Sequence, residues 1–561
     1  MKTVKLETDV LIIGGGAAGA YAGIRLGEES GRSVLVVDKG NIVRSGCMAA
    51  GVNALNAYIN EGQTAEDYLN YVKREFKDVV REDLVYSMAK GLNKVTEKIE
   101  SLGLPILKDE SGNYIPRGKR SIKINGEYIK PILYNALRAK QNVRLLENTN
   151  VFDYILKQGK TIGAYAFSVK DDIFYVIEAG ATICATGGAS GIYRANNPGH
   201  SRHKMWYSPF NTGAGYAMGL RAGAEMTSLE MRFMALRCKD TIAPTGTIAQ
   251  GVEVEHINSR GEVYVKGRCS TADRLKLTIE ENKEGRGPCY LKTEGMDSET
   301  ENQLYRAYLN MAPSQTLKWF EDGRGPSEAN VEIEGTEPYI TGGHSGAGYW
   351  VDGNRRTTLE GLYAAGDVAG GSPKKYVTGC FVEGELASRA ATEYLDSKEG
   401  QRDSVDIEEA ERVKSSLEKH LVHEDCPYSI EEVEESLQKV MDEYAGGISK
   451  NYSYSESRLK IALEKLERME SLIHGLKAKD NHELMFIQEL KDRHIVAEAL
   501  IHHMMARKES RWVPYQEHLD YRGESEYYGK HYVNSEYSDK IFRIKYRRIV
   551  GKDERYEHSD R

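Results

Sequence analysis

Cysteine is scarce in this 561-residue chain. Its seven cysteines, Cys47, Cys184, Cys238, Cys269, Cys289, Cys380 and Cys426, are odd in number, scattered and never spaced as CxxC. That pattern argues against a disulfide framework, a zinc site or an iron–sulfur cluster within the chain itself. Long apolar runs are missing too. The best candidate, VLIIGGGAAGAYAGI from Val10, is shorter and richer in glycine than the roughly 20 apolar residues a spanning helix requires. The opening MKTVKLETDVLIIGGG carries no apolar stretch with a small-residue cleavage site, so a cytoplasmic protein without membrane insertion is expected. There is no excess of positive charge either. With 76 Lys and Arg against 84 Asp and Glu, the net charge of -8 provides no global field for a nucleic acid or an anionic membrane. Solenoid repeats and low-complexity tracts are likewise lacking.

What is present begins with a βαβ unit. TDVLII, GGGAAG, AYAGIRLGEESG and RSVLVVDKG read as strand, glycine turn, helix and second strand. Residues 51 to 103 have apolar spacings of three and four and predict helices. SIKING, NVRLLENTNVFDYILK, TIGAYAFSV and IFYVIEAGATICATGG are β-rich. Residues 234 to 339 are mixed and irregular and read as an insertion. TTLEGLYAAGDVAGG then returns to a short strand with glycine turns, and a helix begins near Thr378. Beyond about 405 the text is helical, with Leu459, Leu463, Leu466, Met469, Ile473 and Leu476 forming one apolar stripe. The last fifty residues are rich in tyrosine and show no clear period. The expected class is α/β: a Rossmann-like domain over 1–233 and 340–404, an inserted α+β capping domain over 234–339, and a helical C-terminal domain over 405–561 with a Tyr-rich tail.

Gly14, Gly16 and Gly19 form GxGxxG between the first strand and its helix, and Asp38 closes the second strand. The first glycine allows the turn, the second lets backbone approach a pyrophosphate, and the third packs helix on strand. The helix N-terminus stabilises the anion, and Asp38 can accept from ribose hydroxyls. A bound dinucleotide follows.

KGNIVRSGCMAAGVNALN, CATGGASGIYR and TTLEGLYAAGDVAGG together resemble the flavoprotein subunits of the succinate dehydrogenase and fumarate reductase superfamily, over residues 8 to 400. The resemblance implies FAD in a Rossmann-like domain of the glutathione-reductase type. It puts Ser45 and Gly46 at flavin and diphosphate, Gly187 and Gly188 under the cofactor, and Asp367 at the ribityl chain, with Lys39 and Glu383 completing the set. The helix near Thr378 would direct its positive end at the flavin. Usual members carry a histidine after the matching serine that bonds covalently to the flavin. RSGCMAAG has none, so non-covalent FAD is expected.

The superfamily's dicarboxylate enzymes move a proton with an arginine some way before GRGP. Here EGRGPCYLKT is preceded by CSTADRLKLTIEENK, where Arg274 sits too close and Thr271 occupies the acid–base position. Meanwhile KMWYSPFNTGAGYAMGLRAGAEMTSLEMRFMALRCKD, EPYITGGHSG and ARKESRWVPY, in that order, resemble the α subunit of dissimilatory-type adenylylsulfate reductases, with VREDLVY and SIKINGEYIK adding matches upstream. In that family reduced FAD attacks the sulfur of adenylylsulfate through N5, AMP leaves, and a flavin–sulfite adduct releases sulfite. The substrate is anionic, so fixed cations around the sulfuryl group are required. The resemblance puts Arg237 and His344 at the sulfate end, Asn56 beside the flavin, Trp206 along the substrate channel, and Glu127 as a further residue of the site.

Other readings stand beside these. Arg237 lies between Leu236 and Cys238, and His344 between glycines that admit a ligand. Asn56 can instead cap a turn, Trp206 can be core, and Glu127 can be a plain surface carboxylate. His200 with His203, and His502 with His503, lack a supporting cluster of ligands, so no metal site is expected. Cys47 reads as a small packed residue near the flavin stretch. The chain departs from the family at Leu236, where a proline is usual, and at Gln250, where an apolar residue is usual. The resemblance implies an electron-donating partner, a ferredoxin-like β subunit with two iron–sulfur clusters, and the Tyr-rich tail is a candidate for its interface. The alternatives are a dicarboxylate or enoate reductase and a non-catalytic flavin electron-transfer subunit.

Overall fold

A computed structural model describes residues 1–558 apart from 51, 59–61, 242, 247, 249–250, 268, 399–402, 422–425 and 512–516. Its central sheet runs in the order Val143–Leu146, Val34–Val37, Lys2–Ile13, Ile173–Cys184, Lys160–Ser168, Thr149–Lys157, and Leu362–Ala364 also pairs with Ile173–Cys184. The four strands nearest the glycine turn are parallel. Their sequences suit that place. VLVV is buried at all four positions, as a strand covered on both faces must be. The helix Ala17–Glu29 rises directly from the turn, and the long helix Tyr376–Ser397 packs along it. Residues 51 to 103 yield the helices Ala65–Glu75, Glu82–Ala89 and Leu92–Ser101.

The inserted segment is more ordered than its sequence suggests. Leu236–Cys238, Val331–Gly335, Cys289–Leu291 and His256–Ile257 form a four-stranded antiparallel sheet. Helix Thr271–Lys283 starts with a reciprocal cap between Ser270 and Asp273. The QTLKWFEDG stretch is the helix Pro313–Asp322, with Pro313 in its first turn and Gly323 left-handed at its end.

After 405 come the helices Ile407–Glu418, Ile430–Tyr444, Glu456–Gly475 and Asn481–Ala506. The apolar stripe holds, since Leu459, Leu466, Met469, Ile473 and Leu476 are buried. The tail departs from the helical expectation. His531–Ser538 and Ile541–Arg548 make a hairpin that joins Met226–Thr227 and Gly348–Tyr349 in a second four-stranded sheet. Alternation of Phe542, Ile544 and Tyr546 with Arg543, Lys545 and Arg547 gives the period of two that the many tyrosines obscure. Within ARKESRWVPY, Arg507 holds Glu230 at 2.6 Å and Glu509 at 2.9 Å, and Glu509 also pairs with Arg511. Trp512 to Tyr515 lie outside the described residues. Among the described residues no helix is long and apolar enough to cross a membrane.

Candidate active site

The glycine turn is shaped for a diphosphate. Gly14 has φ +100°, and a side chain there would lie 2.5 Å from the Ala185 carbonyl oxygen. A side chain at Gly19 would meet the Gly14 carbonyl oxygen at 1.9 Å, whereas the corresponding space at Gly16 is open. Gly46 closes on Gly16, with its Cβ position only 3.4 Å from the Gly16 Cα. Asp38 accepts from the Gly15 N–H at 2.8 Å, the Ser45 hydroxyl at 3.0 Å and the Gly40 N–H at 2.8 Å. A carboxylate has about four acceptor sites, so Asp38 both orders the turn and keeps capacity for a ribose hydroxyl. Lys130 was not foreseen. Its buried ammonium donates to the Gly15 carbonyl at 2.5 Å, and burial lowers its pKa to about 8. Its only sequence signal is a lysine on the apolar face of an amphipathic helix.

On the other side, Gly187 (φ +78°) and Gly188 leave no room for side chains beside Asn211 and Ile340. The Tyr207 hydroxyl accepts from the Gly188 N–H at 2.9 Å and donates to Asp367 at 2.7 Å, linking the ATGG and AAGD turns. Glu383 and Lys39 are engaged differently from the expectation. Glu383 is buried, accepts from the Gly366 N–H at 3.0 Å, and pairs with Lys375 at 3.0 Å and Arg355 at 3.3 Å. It braces the Asp367 turn. Lys39 pairs with Glu489 at 2.5 Å, tying the cradle to the helix Asn481–Ala506. Among the described residues, the helix Tyr376–Ser397 has no side-chain cap at its N-terminus, and the buried Thr378 hydroxyl in its first turn has no partner. An open glycine face, a free helix N-terminus and an orphaned hydroxyl fit FAD. Gly46 follows Ser45, where the resemblance leads one to look for a histidine.

His344 sits on the short turn of helix Gly342–Ser345. Its ring stacks on Phe233 with centroids 4.6 Å apart, and Trp206 and Tyr376 present edges at 5.2 and 5.7 Å. This enclosure lowers its pKa to about 4, despite the opposing pull of Asp367. The expected cation is therefore a neutral imidazole near pH 7. Trp206 is a wall of this box, with its backbone N–H donating to the Tyr339 hydroxyl at 3.0 Å. Phe233 and Tyr376 escaped sequence reasoning. Phe233 lies four residues before Arg237 in RFMALR. Tyr376 owes its position to a left-handed φ of +50°, which no pattern announces.

Arg237 is fully buried in the cap strand Leu236–Cys238. It donates to Glu334 at 2.9 Å and to the Thr241 carbonyl at 3.0 Å, and its Nε has no partner among the described residues. Its charge is thus partly neutralised by Glu334. Asn56 ends the strand Ala54–Asn56, is half-buried, and pairs across with Ser121, whose hydroxyl is 3.4 Å from its amide. Glu127 is not brought to the box. Its carboxylate is exposed, and only its carbonyl is engaged, by Arg44 at 3.2 Å. Cys47 is exposed instead of packed, though the surrounding protein and Asp367 push its thiol up to about 12. Leu236 is buried in the cap core, and Gln250 lies outside the described residues.

Residues 9–380 match the FAD binding domain family, and residues 434–561 match the fumarate reductase flavoprotein C-term family. The adenylylsulfate reductase subunit alpha of Megalodesulfovibrio gigas is 28% identical, over 98% of this chain and 97% of that protein. The solved adenylylsulfate reductase of Archaeoglobus fulgidus superposes with a TM-score of 0.91 at 32% identity, over 98% of this chain and 96% of that one. The same figures hold for an adenosine-5-phosphosulfate reductase in complex with sulfite as a covalent adduct. The chain belongs to the FAD-binding flavoproteins of the succinate dehydrogenase and fumarate reductase superfamily and, within them, to the adenylylsulfate reductase α-subunit family.

Proposed function

We propose that this chain is the catalytic subunit of an FAD-dependent adenylylsulfate reductase, converting adenylylsulfate to sulfite and AMP and running in both directions. The observation that carries this is His344 in its aromatic box beside the flavin cradle, in a chain similar end to end to adenylylsulfate reductases. FAD held by Gly14, Gly16, Gly46, Asp38 and the first turn of Tyr376–Ser397 supplies the two-electron centre.

The remaining chemistry belongs to side chains. Neutral His344 donates one hydrogen bond to a sulfuryl oxygen. An arriving dianion favours its charged form, so the imidazole takes up a proton as substrate binds and strengthens its hold as negative charge grows. Trp206, Phe233 and Tyr376 exclude water from that contact, which raises the worth of every charge inside. Asn56 offers an amide beside the flavin. Arg237, fixed by Glu334, contributes a buried field from behind the box.

The dicarboxylate reading has little support. Thr271 occupies the place of the acid–base arginine, and Arg274 is buried in the cap helix with its guanidinium 3.4 Å from the Thr271 hydroxyl. Electrons come from outside the chain, whose cysteines are scattered. A ferredoxin-like subunit with two iron–sulfur clusters fits that need, and the tail hairpin is part of the surface available to it. Dye-reduced holoenzyme should release sulfite and AMP from adenylylsulfate and leave fumarate untouched. Turnover of fumarate without adenylylsulfate would refute the proposal.

A further inference from the structure

One arginine of this region is uncommitted. The loop PRGKR (116–120) precedes the strand Ser121–Lys123, which pairs with Ala54–Asn56, and the Arg120 carbonyl accepts from the Ala57 N–H at 3.0 Å. Arg120 is thereby fixed on the wall that carries Asn56. Of Arg44, Arg117, Arg120, Arg237 and Arg355, four donate to protein: Arg44 to Glu127, Arg117 to Asn53, Arg237 to Glu334, and Arg355 to Glu383. Among the described residues Arg120 alone of the five donates to nothing, although it is half-buried. Its guanidinium lies 3.7 Å from the centre of the Tyr71 ring. That contact holds the planar group by a cation–π interaction and leaves its N–H edges free.

The same tyrosine leads to the active site. The Tyr71 hydroxyl is 3.3 Å from that of Tyr376, and Tyr376 is the edge of the box around His344. The backbone is strained where this chain of contacts needs it. Lys374 and Tyr376 both have positive φ, +59° and +50°, and the Tyr68 hydroxyl holds the Lys374 carbonyl at 2.8 Å. Non-glycine residues in that region persist when surrounding contacts over-determine them, and they cluster at ligand sites. A preorganised guanidinium with a free fork matches phosphate in geometry and charge.

We infer that Arg120 grips the 5′-phosphate of the nucleotide, with Tyr71 and Tyr376 as positioning residues that set its place relative to His344. The inference rests on the functional reading above, which puts a sulfuryl group at His344 and hence a phosphoryl group next to it. Phosphate selectivity then comes from the PRGKR loop and not from the cap.

Calorimetric titration of the FAD-loaded chain with AMP and with adenosine tests this. Arg120→Ala should weaken AMP by about 10- to 100-fold, the worth of charge-assisted hydrogen bonds, and leave adenosine unchanged. Arg120→Lys should fall between, keeping charge without the fork. Bleaching of the flavin band by sulfite alone should be unaffected, which verifies an intact cofactor site in each variant. In turnover the loss should fall on the KM for AMP and leave kcat within a few-fold. Equal weakening of AMP and adenosine, or an unchanged AMP affinity, overturns the assignment. The functional reading fails separately, if wild-type sulfite oxidation needs no AMP.

Discussion

The cofactor cradle and the substrate box are built on opposite plans. In the cradle, the groups that shape the turns are held by protein: Asp38 holds three donors, Glu383 two cations and an N–H, and Tyr207 joins two turns, while the glycine face and the first turn of Tyr376–Ser397 are left to the cofactor. Around the box, groups are left open. The pKa of His344 is held low, Tyr376 is strained, and among the described residues Arg237 keeps an unpartnered Nε and Arg120 donates to nothing. A resident group needs a rigid seat, whereas a passing anion must find donors that are not already satisfied.

That contrast can be broken from the cradle side first. Gly19→Val should leave little or no bound FAD, because its Cβ falls on the Gly14 carbonyl oxygen; the ratio of flavin absorbance to protein measures this. Glu383→Ala strips a carboxylate from two buried cations and should destabilise the protein by about 3–5 kcal/mol, read from denaturant unfolding of the FAD-loaded chain. From the box side, His344→Ala should lower turnover by about 10²–10³-fold with full FAD, the scale for removing one preorganised donor. Tyr376→Phe loses only the Tyr71 contact and should cost roughly 5- to 10-fold in the KM for AMP. Acid acts separately, on stability. His256, His344 and His502 have pKa values held near 4 by burial, against 6.5 when unfolded. The unfolded chain binds more protons between those values, so stability should be full above pH 6.5 and decline toward pH 4. Stability unchanged across that window would show these imidazoles to be hydrated.

The same contrast explains what could be read in advance. The cradle is local: GxGxxG, Asp38 and the AAGD turn each sit within one strand–turn–helix step, so spacing alone carries their geometry. The box is assembled from residues 206, 233, 344 and 376, and its outer wall from 56, 71 and 120, which only the tertiary fold unites. His344 and Trp206, singled out by resemblance, do pack together, but the lowered pKa of His344 depends on three rings that sequence does not juxtapose. Glu127 lies exposed, and an NGE turn gives no sign of which way it faces. The tail hairpin was obscured because tyrosine fills positions of both faces and hides the alternation. Glu383 and Lys39 are acid and base at plausible places; the partner of Lys39, Glu489, lies 450 residues on, and that of Glu383, Arg355, comes from a separate turn before the helix.

The most direct test of the central claim is sulfite oxidation by the purified, FAD-loaded chain with ferricyanide as acceptor, measured with and without AMP. Oxidation should require both sulfite and AMP and should fall at least about 10²-fold in His344→Ala. Oxidation indifferent to AMP at full FAD occupancy would contradict it.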